Sequence, residues 1–242
     1  MSRRDPRQAR FLTLASLRWV IRNRAWTWWY LVRYWRFFWF KVRNPHVITT
    51  GFVFLGRRVE LHARRGYAQL ILGRWVHIGD ENRVRCHEGV LTIGDKVVLG
   101  RDNTFNCYLD IEVGDSTIIA DWVYICDFDH VTEDLHVPIK DQGIVKSPVR
   151  IGPDTWVGVK ASVLRGAFIG RGTVVAAHAV VRDGVYPDHA ILGGTPARVL
   201  KDRNTVYLEQ AATREALADI ARKHERAAER ARALDEGAGH AV

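Results

Sequence analysis

The chain has 242 residues, 47% of them apolar, so it can bury one substantial core with appendages. Its formal charge of +9 is concentrated in residues 1–43, which hold eleven Arg or Lys residues and one Asp. A nucleic-acid surface would spread its basic residues over the folded body, so this distribution argues against nucleic acid as a partner. Cys86, Cys107 and Cys126 lack the spacing of a zinc or disulfide framework, and a reducing, cytoplasmic setting is expected.

The first predicted element is a basic, tryptophan-rich segment at residues 17–44, within an N-terminal region 1–45. It holds six of the nine tryptophans, and on a helix its arginines fall within one arc of roughly 80°. Its longest uncharged run, AWTWWYLV, is far shorter than the ~20 residues of a spanning helix. We therefore expect an amphipathic helix on an anionic membrane surface, peripheral to the inner face of the cell membrane. The alternative is packing on the protein's own body or on another subunit.

From residue 72 onward, apolar residues recur in groups of three with a spacing of six positions inside each group, and many are followed by Gly. The repeat forms triples: Leu72, Ile78, Val84; Ile93, Leu99, Phe105; Val113, Ile119, Ile125; Ile151, Val157, Val163; and Ile169, Val175, Val181. A six-residue step describes one short strand plus a turn, and three steps close a triangular coil, which predicts an all-β solenoid. Leu55, Gly56 and Leu61 predict a less regular coil before it. The Ala-, Glu- and Arg-rich tail, residues 204–242, predicts a helix.

Longer steps occur only after the third position of a triple, so the insertions are expected to emerge at one corner of the solenoid. The largest adds about twenty residues between Ile125 and Ile151 and contains CDFDHVTEDLHVPIKDQG at residues 126–143. A neutral imidazole there could act as a general base. The sequence thus makes this corner the candidate site of chemistry.

These hexads, the loop FDHVTEDLHVPIKDQG, the following PVRIGPDTWVG and the ending ILGGTPARVLKDR resemble the hexapeptide-repeat acyltransferases. The resemblance covers about residues 70–203 and is closest to the maltose, galactoside and exopolysaccharide O-acetyltransferase branch. It implies a left-handed parallel β-helix, over residues 46–203, that assembles as a homotrimer with active sites between subunits. It also implies acetyl-CoA as the acyl donor, a carbohydrate hydroxyl as the acceptor and no metal.

The resemblance implies roles for individual residues. His130 matches the family's catalytic base, whereas His136 is expected to be an ordinary loop residue. Asp127, Asp129, Glu133 and Asp134 could orient the imidazole, and none is preferred. Acceptor-binding roles fall on Asn106, Thr104 and Gln142, although Thr104-Phe105-Asn106 departs from the family's Asn-aromatic-Asn pattern. Cofactor-binding roles fall on Trp156, Gly158, Ala177, Arg198 and Lys201.

Other functions stay open on the sequence alone. A β-helical zinc carbonic anhydrase would hold its metal with three histidines, but His130 and His136 do not have the expected spacing. A non-catalytic membrane-docking scaffold is a second alternative. A succinyl or longer acyl group could replace acetyl, because nothing in the sequence measures the acyl pocket.

Overall fold

The computed structural model describes residues 5–9, 11 and 13–238, with elements numbered here in chain order. The chain divides into two units, Met1–Leu200 and Lys201–Val242. The first unit starts with α1 (Leu14–Arg22) and α2 (Trp28–Arg43) and continues as a solenoid of parallel strands. The second unit contains α3 (Arg203–Ala238), which is the predicted C-terminal helix.

The solenoid has three faces, each a sheet in which the strands of successive coils pair in parallel. The first face contains β1 (Ile48–Thr49), β4 (Ala68–Leu72), β7 (Gly89–Ile93), β10 (Asp110–Val113), β15 (Val149–Ile151), β18 (Ala167–Ile169) and β21 (Gly184–Tyr186). The second contains β2 (Val53–Leu55), β5 (Val76–Ile78), β8 (Val98–Leu99), β11 (Ile118–Ile119), β16 (Trp156–Val157), β19 (Val174–Val175), β22 (Ala190–Gly194) and β23 (Ala197–Asp202). The third contains β3 (Glu60–Ala63), β6 (Arg83–Cys86), β9 (Thr104–Cys107), β12 (Tyr124–Cys126), β17 (Ser162–Val163) and β20 (Val180–Val181).

The hexad residues form the core of this prism. All fifteen residues of the five predicted triples are buried, and equivalent positions of successive coils lie in register, as Leu72 and Ile93 do. Each coil covers the apolar edge of its neighbour, which is why a strand of two or three residues is stable here. The predicted parallel β-helix is confirmed. The coil before the regular hexads is present as well, and Leu55 and Leu61 are buried in it.

The glycine after an inward residue is required by the close stacking of coils. A Cβ added to Gly94 would lie 2.8 Å from the backbone nitrogen of Asp115 in the next coil. The turn itself is made two residues later, where Lys96 and the equivalent Ser116 both have φ of 59°. Gly is therefore selected here for lack of a side chain, and a different residue adopts the left-handed conformation.

The N-terminal segment forms two helices rather than the single helix on which its arginines were projected. α1 ends where the Asn23 side chain donates to the Trp19 carbonyl at 2.9 Å, and Arg24 then has φ of 49°. Trp19 stacks on Trp75 of the solenoid at 3.9 Å between ring centroids, and Phe37 of α2 is buried. Part of the segment therefore packs on the protein's own body. Within the described residues, no helix is both long and apolar enough to cross a membrane.

Candidate functional site

The long insertion forms a hairpin at the corner between the third and first faces. It leaves β12 and contains β13 (Phe128–His130) paired antiparallel with β14 (Ile144–Lys146), before the chain re-enters the first face at β15. The shorter insertions after β6 and β9 emerge at the same corner, which confirms the single-corner prediction. His130 is opposite Ile144 at the outer end of the two-stranded part.

A buried carboxylate holds the base of this hairpin. Asp127 is 0% exposed, and its two oxygens accept hydrogen bonds from the backbone N–H groups of Tyr108, Leu109 and Asp110 at 2.8, 2.8 and 2.7 Å. Its own carbonyl accepts from the Ser147 N–H at 2.9 Å, at the other end of the insertion. Asp127 therefore joins both ends of the hairpin to the turn of the preceding coil.

Two ion pairs hold the hairpin from opposite sides. Lys146 of β14 donates to Glu88 at 2.6 Å, and Arg165 donates to Asp129 of β13 at 2.7 Å. The Lys146 contact lowers the pKa of the Glu88 carboxyl. Since Glu88 and Arg165 belong to different coils, the hairpin is fixed in direction as well as at its base.

Aromatic rings continue this support toward the candidate base. Phe128 lies edge-on to Tyr108 with 4.6 Å between centroids, and the His130 ring is 6.3 Å beyond Phe128. The imidazole of His130 itself is exposed at the corner. His136 lies farther along the loop, exposed, with its backbone N–H donating to Asp134 at 2.8 Å.

Each of the four acidic loop residues has a partner other than the imidazole. Asp127 binds the backbone of the preceding turn and Asp129 pairs with Arg165. Glu133 accepts from the Thr132 N–H at 2.9 Å, and Asp134 accepts from the His136 N–H. In this conformation the acids shape the loop, and none of the four contacts above orients His130.

The predicted acceptor-binding residues Thr104 and Asn106 lie on the outward side of β9, next to the hairpin. Thr104 is in register with Tyr124 of β12, and Asn106 with Cys126. Burial raises the pKa of the Tyr124 phenol above its ordinary value, while the Asn106 side chain acts in the opposite direction. Sequence reasoning missed Tyr124, although its place immediately before the hexad residue Ile125 matches that of Thr104 before Phe105.

Gln142 lies at the far end of the loop, where its side chain is engaged with loop backbone. Its amide nitrogen donates to the carbonyls of Asp134 and Val137, both at 2.7 Å, and its oxygen accepts from the Asp134 N–H at 3.1 Å. Both amide protons are thus used inside the loop. An acceptor-binding role for Gln142 stays a prediction.

The predicted cofactor-binding residue Trp156 lies away from the His130 corner. Trp156 is 53% exposed on the second face, in register with Ile118, which pairs in turn with Val98. The second face is opposite the edge at which the hairpin emerges, because the hairpin joins the third face to the first. One chain therefore does not bring Trp156 and His130 to a common edge.

The remaining cofactor candidates differ in their surroundings. A Cβ on Gly158 would lie 2.7 Å from the backbone nitrogen of Ala177 in the next coil, so coil stacking alone requires glycine there. Ala177 is exposed in the turn after β19, and Arg198 is exposed on β23. Lys201 begins the second unit. These assignments stay predictions.

A stacked pair of rings extends the corner by one further coil. His87 lies on Tyr108 with 4.7 Å between centroids and an interplanar angle of 19°. Burial lowers the pKa of His87 below 6.5, and nearby charges act on it as well: His62, Arg85 and Arg64 lower the pKa, whereas Glu60 raises it.

The three cysteines are free and buried. The pKa of the Cys107 thiol is raised, first by its contact with the thiol of Cys86 and second by its burial.

No group of three or more His, Cys, Asp or Glu side chains able to hold a metal ion occurs among the residues described.

Comparison with known proteins identifies relatives of the chain. No protein-family model matches it. Rv3034c of Mycobacterium tuberculosis (strain ATCC 25618 / H37Rv), named as a probable acetyltransferase, is 65% identical over 224 residues, which are 91% of this chain and 74% of Rv3034c. WbbJ of Escherichia coli (strain K12), named for O-acetyl transfer in lipopolysaccharide biosynthesis, is 31% identical over 123 residues, which are 48% of this chain and 62% of WbbJ.

Among solved structures, AntD, an N-acyltransferase from Bacillus cereus in complex with dTDP and 3-hydroxybutyryl-CoA, has a TM-score of 0.54. The match covers 74% of this chain and 96% of AntD at 17% identity, which supports the fold. The six-residue repeat, the parallel β-helix built from it and the long shared identity with Rv3034c agree with one another. The chain is an acetyltransferase that belongs to the hexapeptide-repeat O-acetyltransferase family.

Proposed function

We propose that this enzyme transfers an acetyl group from acetyl-CoA to a sugar hydroxyl of a glycan, polysaccharide precursor or glycolipid, with His130 as the general base. The observation that carries the assignment of His130 is the hairpin. Its strand β13 ends at His130, whose imidazole is exposed at the corner, and the hairpin is held by Asp127, by Glu88 and by Arg165. The names of Rv3034c and WbbJ support acetyl transfer, and that of WbbJ supports a glycan acceptor.

In this mechanism, the His130 imidazole accepts the hydroxyl proton as the sugar oxygen attacks the thioester carbonyl carbon. The tetrahedral intermediate collapses with cleavage of the carbon–sulfur bond, and the imidazolium returns its proton to the departing CoA thiolate. General-base assistance of this kind contributes about 10² to 10⁴ in rate. The hairpin contacts fix the strand that carries His130 before substrate binds, which reduces the positional freedom lost on reaching the attack geometry.

We also propose that the site is completed by a second subunit in a homotrimer. Support comes from the opposite placement of His130 and Trp156 on one chain, and from the exposed apolar row of Val98, Ile118 and Trp156 on the second face. An apolar row on a solenoid face is typical of a surface covered by a neighbour or a ligand. In a cyclic trimer, the second face of one subunit can approach the hairpin corner of the next.

The catalytic proposal is tested by release of free CoA thiol with acetyl-CoA and candidate acceptor sugars. His130→Ala is expected to lower kcat by about 10² to 10⁴ while leaving the melting temperature unchanged, because the imidazole is exposed. His136→Ala is the matched control, since it removes another exposed loop imidazole. Full acceptor-dependent turnover in His130→Ala would show that another group is the base.

The shared site is tested by co-expression of two impaired variants, His130→Ala and Trp156→Ala, with activity measured at an acetyl-CoA concentration well below the KM of the second. If each site takes its histidine from one subunit and its tryptophan from the next, roughly a quarter of all sites in randomly assembled trimers regain both. Activity at the level of the separately prepared variants would refute the shared site. The assignment of His130 would be unaffected by that result.

A further inference from the structure

The outward side of the N-terminal helices carries an apolar stripe that nothing in the solenoid covers. On α2 the members of this stripe lie within about 100° of one another on the helix, since most recur at spacings of three or four residues. They are Trp28, Leu31, Trp35, Phe38, Trp39 and Val42. α1 continues the pattern with Leu14, Leu17 and Ile21, each more than half exposed. We name these nine residues the outer stripe.

The opposite side of α2 shows that the exposure is selective. Tyr30, Tyr34 and Phe37 face the first coil, where Phe37 is buried and Tyr34 lies 5.4 Å from Phe52 between ring centroids. Burial raises the pKa of Tyr34 to about 12, which agrees with its inward position. The helix thus has one aromatic face that packs on the solenoid and a second that does not.

A basic groove borders the outer stripe. It has a volume of about 640 Å³, between α2 and the turn after β2, and its lining includes Trp35, Arg36, Trp39, Arg43 and Arg57. The Arg36 guanidinium donates to the Leu55 carbonyl at 3.3 Å, and that of Arg43 lies 5.3 Å from the Trp39 ring centroid.

The charges of this groove are available to an anion. Arg58, also in the lining, pairs with Glu81. By contrast, no carboxylate among the described residues forms an ion pair with Arg36, Arg43 or Arg57. Guanidinium groups of this kind bind phosphate through charge-assisted hydrogen bonds.

We propose that the outer stripe and this groove dock the enzyme on an anionic membrane surface, with the apolar side chains in the interfacial layer and lipid phosphates at Arg36, Arg43 and Arg57. Charge complementarity decides the occupant. Residues 1–43 have a local excess of +10, which attracts anionic lipid and opposes pairing of this patch with itself in a second copy. Tryptophan and arginine on one helix are typical of the bilayer interface.

Docking is a property separate from acyl transfer, so its test needs no turnover. Full-length protein is floated with vesicles of phosphatidylcholine alone and with vesicles that also contain phosphatidylglycerol. We expect co-flotation only with the anionic vesicles, and weaker binding at high salt. Absence of binding to phosphatidylglycerol vesicles would overturn the proposal and leave the proposed function intact.

Two variants divide the contributions. Trp35→Ala/Phe38→Ala removes exposed apolar area and is expected to lower the partition coefficient at least tenfold. Arg36→Gln/Arg43→Gln is expected to lower it about fivefold for each charge, and only on anionic vesicles. Leu135→Ala is the matched control, because it removes an apolar side chain that is 92% exposed but lies in the loop between β13 and β14, outside the outer stripe. All variants are checked for correct folding by thermal melting. Trp35 and Phe38 are exposed, so their replacement is expected to leave the fold intact.

Two results would refute the inference. One is binding by Trp35→Ala/Phe38→Ala equal to that of the wild type. The other is loss of self-association by that variant in size-exclusion chromatography without a change in flotation, which would assign the stripe to a second copy.

Discussion

Replacement of Asp127 by Ala is expected to destabilise the corner that carries the hairpin. The change removes the acceptor of three backbone N–H groups, those of Tyr108, Leu109 and Asp110, in a place where the carboxylate is 0% exposed. A buried donor left without a partner costs about 1–3 kcal/mol. Allowing for water that enters the vacated space, we expect the free energy of unfolding to fall by about 4 kcal/mol. Asp127→Asn retains one oxygen and is expected to lose about half as much.

The assay is urea-induced unfolding at a fixed protein concentration, with the midpoint and slope compared between variants. Asp121→Ala is the matched control: its half-buried carboxylate accepts one such bond, from the Arg101 N–H at 2.7 Å. We expect the control to lose less than about 1 kcal/mol. The reasoning is refuted if Asp127→Ala and Asp121→Ala lose the same amount.

Three further changes test other parts of the structure. Because the pKa of His87 is lowered in the folded chain, the unfolded chain binds more protons below pH 6.5, and the free energy of unfolding should decrease as the pH falls below 6.5. His87→Phe keeps a ring on Tyr108 and should weaken this pH dependence, measured by urea titrations at several pH values. Trp156→Ala should raise the KM for acetyl-CoA about tenfold with an unchanged melting temperature, since the indole is 53% exposed. Gly158→Ala should lower the free energy of unfolding by about 3 kcal/mol, because its Cβ would meet the Ala177 backbone nitrogen at 2.7 Å; an unchanged denaturation midpoint would contradict this.

Much of the site corner was predictable because insertions interrupt a strict period. Counting from Ile125 to Ile151 locates the hairpin and gives the corner at which it emerges, and the structure agrees. The same counting could have found Tyr124, since strands in register place the residue before Ile125 beside Thr104, the residue before Phe105. It could not show how Gln142 is used, because that depends on how the loop folds back on Asp134 and Val137.

The N-terminal segment shows a second limit. Composition indicates an aromatic, basic, amphipathic element, but it does not indicate that the helix breaks at Arg24 or which rings meet the solenoid. Trp19 and Trp28 belong to the same basic, aromatic segment, yet Trp19 stacks on Trp75 whereas Trp28 is 78% exposed. That distinction requires the position of the first coil.

The sequence by itself determined the solenoid, its core and the corner that bears His130, because a six-residue period demands one inward apolar side chain at each step. Only the tertiary structure decided what the polar loop residues do. Asp127 accepts a hydrogen bond from Tyr108, nineteen positions earlier, because coil stacking brings successive turns into contact. The sequence alone does not show which backbone groups a buried carboxylate will bind. The placement of His130 and Trp156 on opposite sides of one chain was likewise decided by the folded prism.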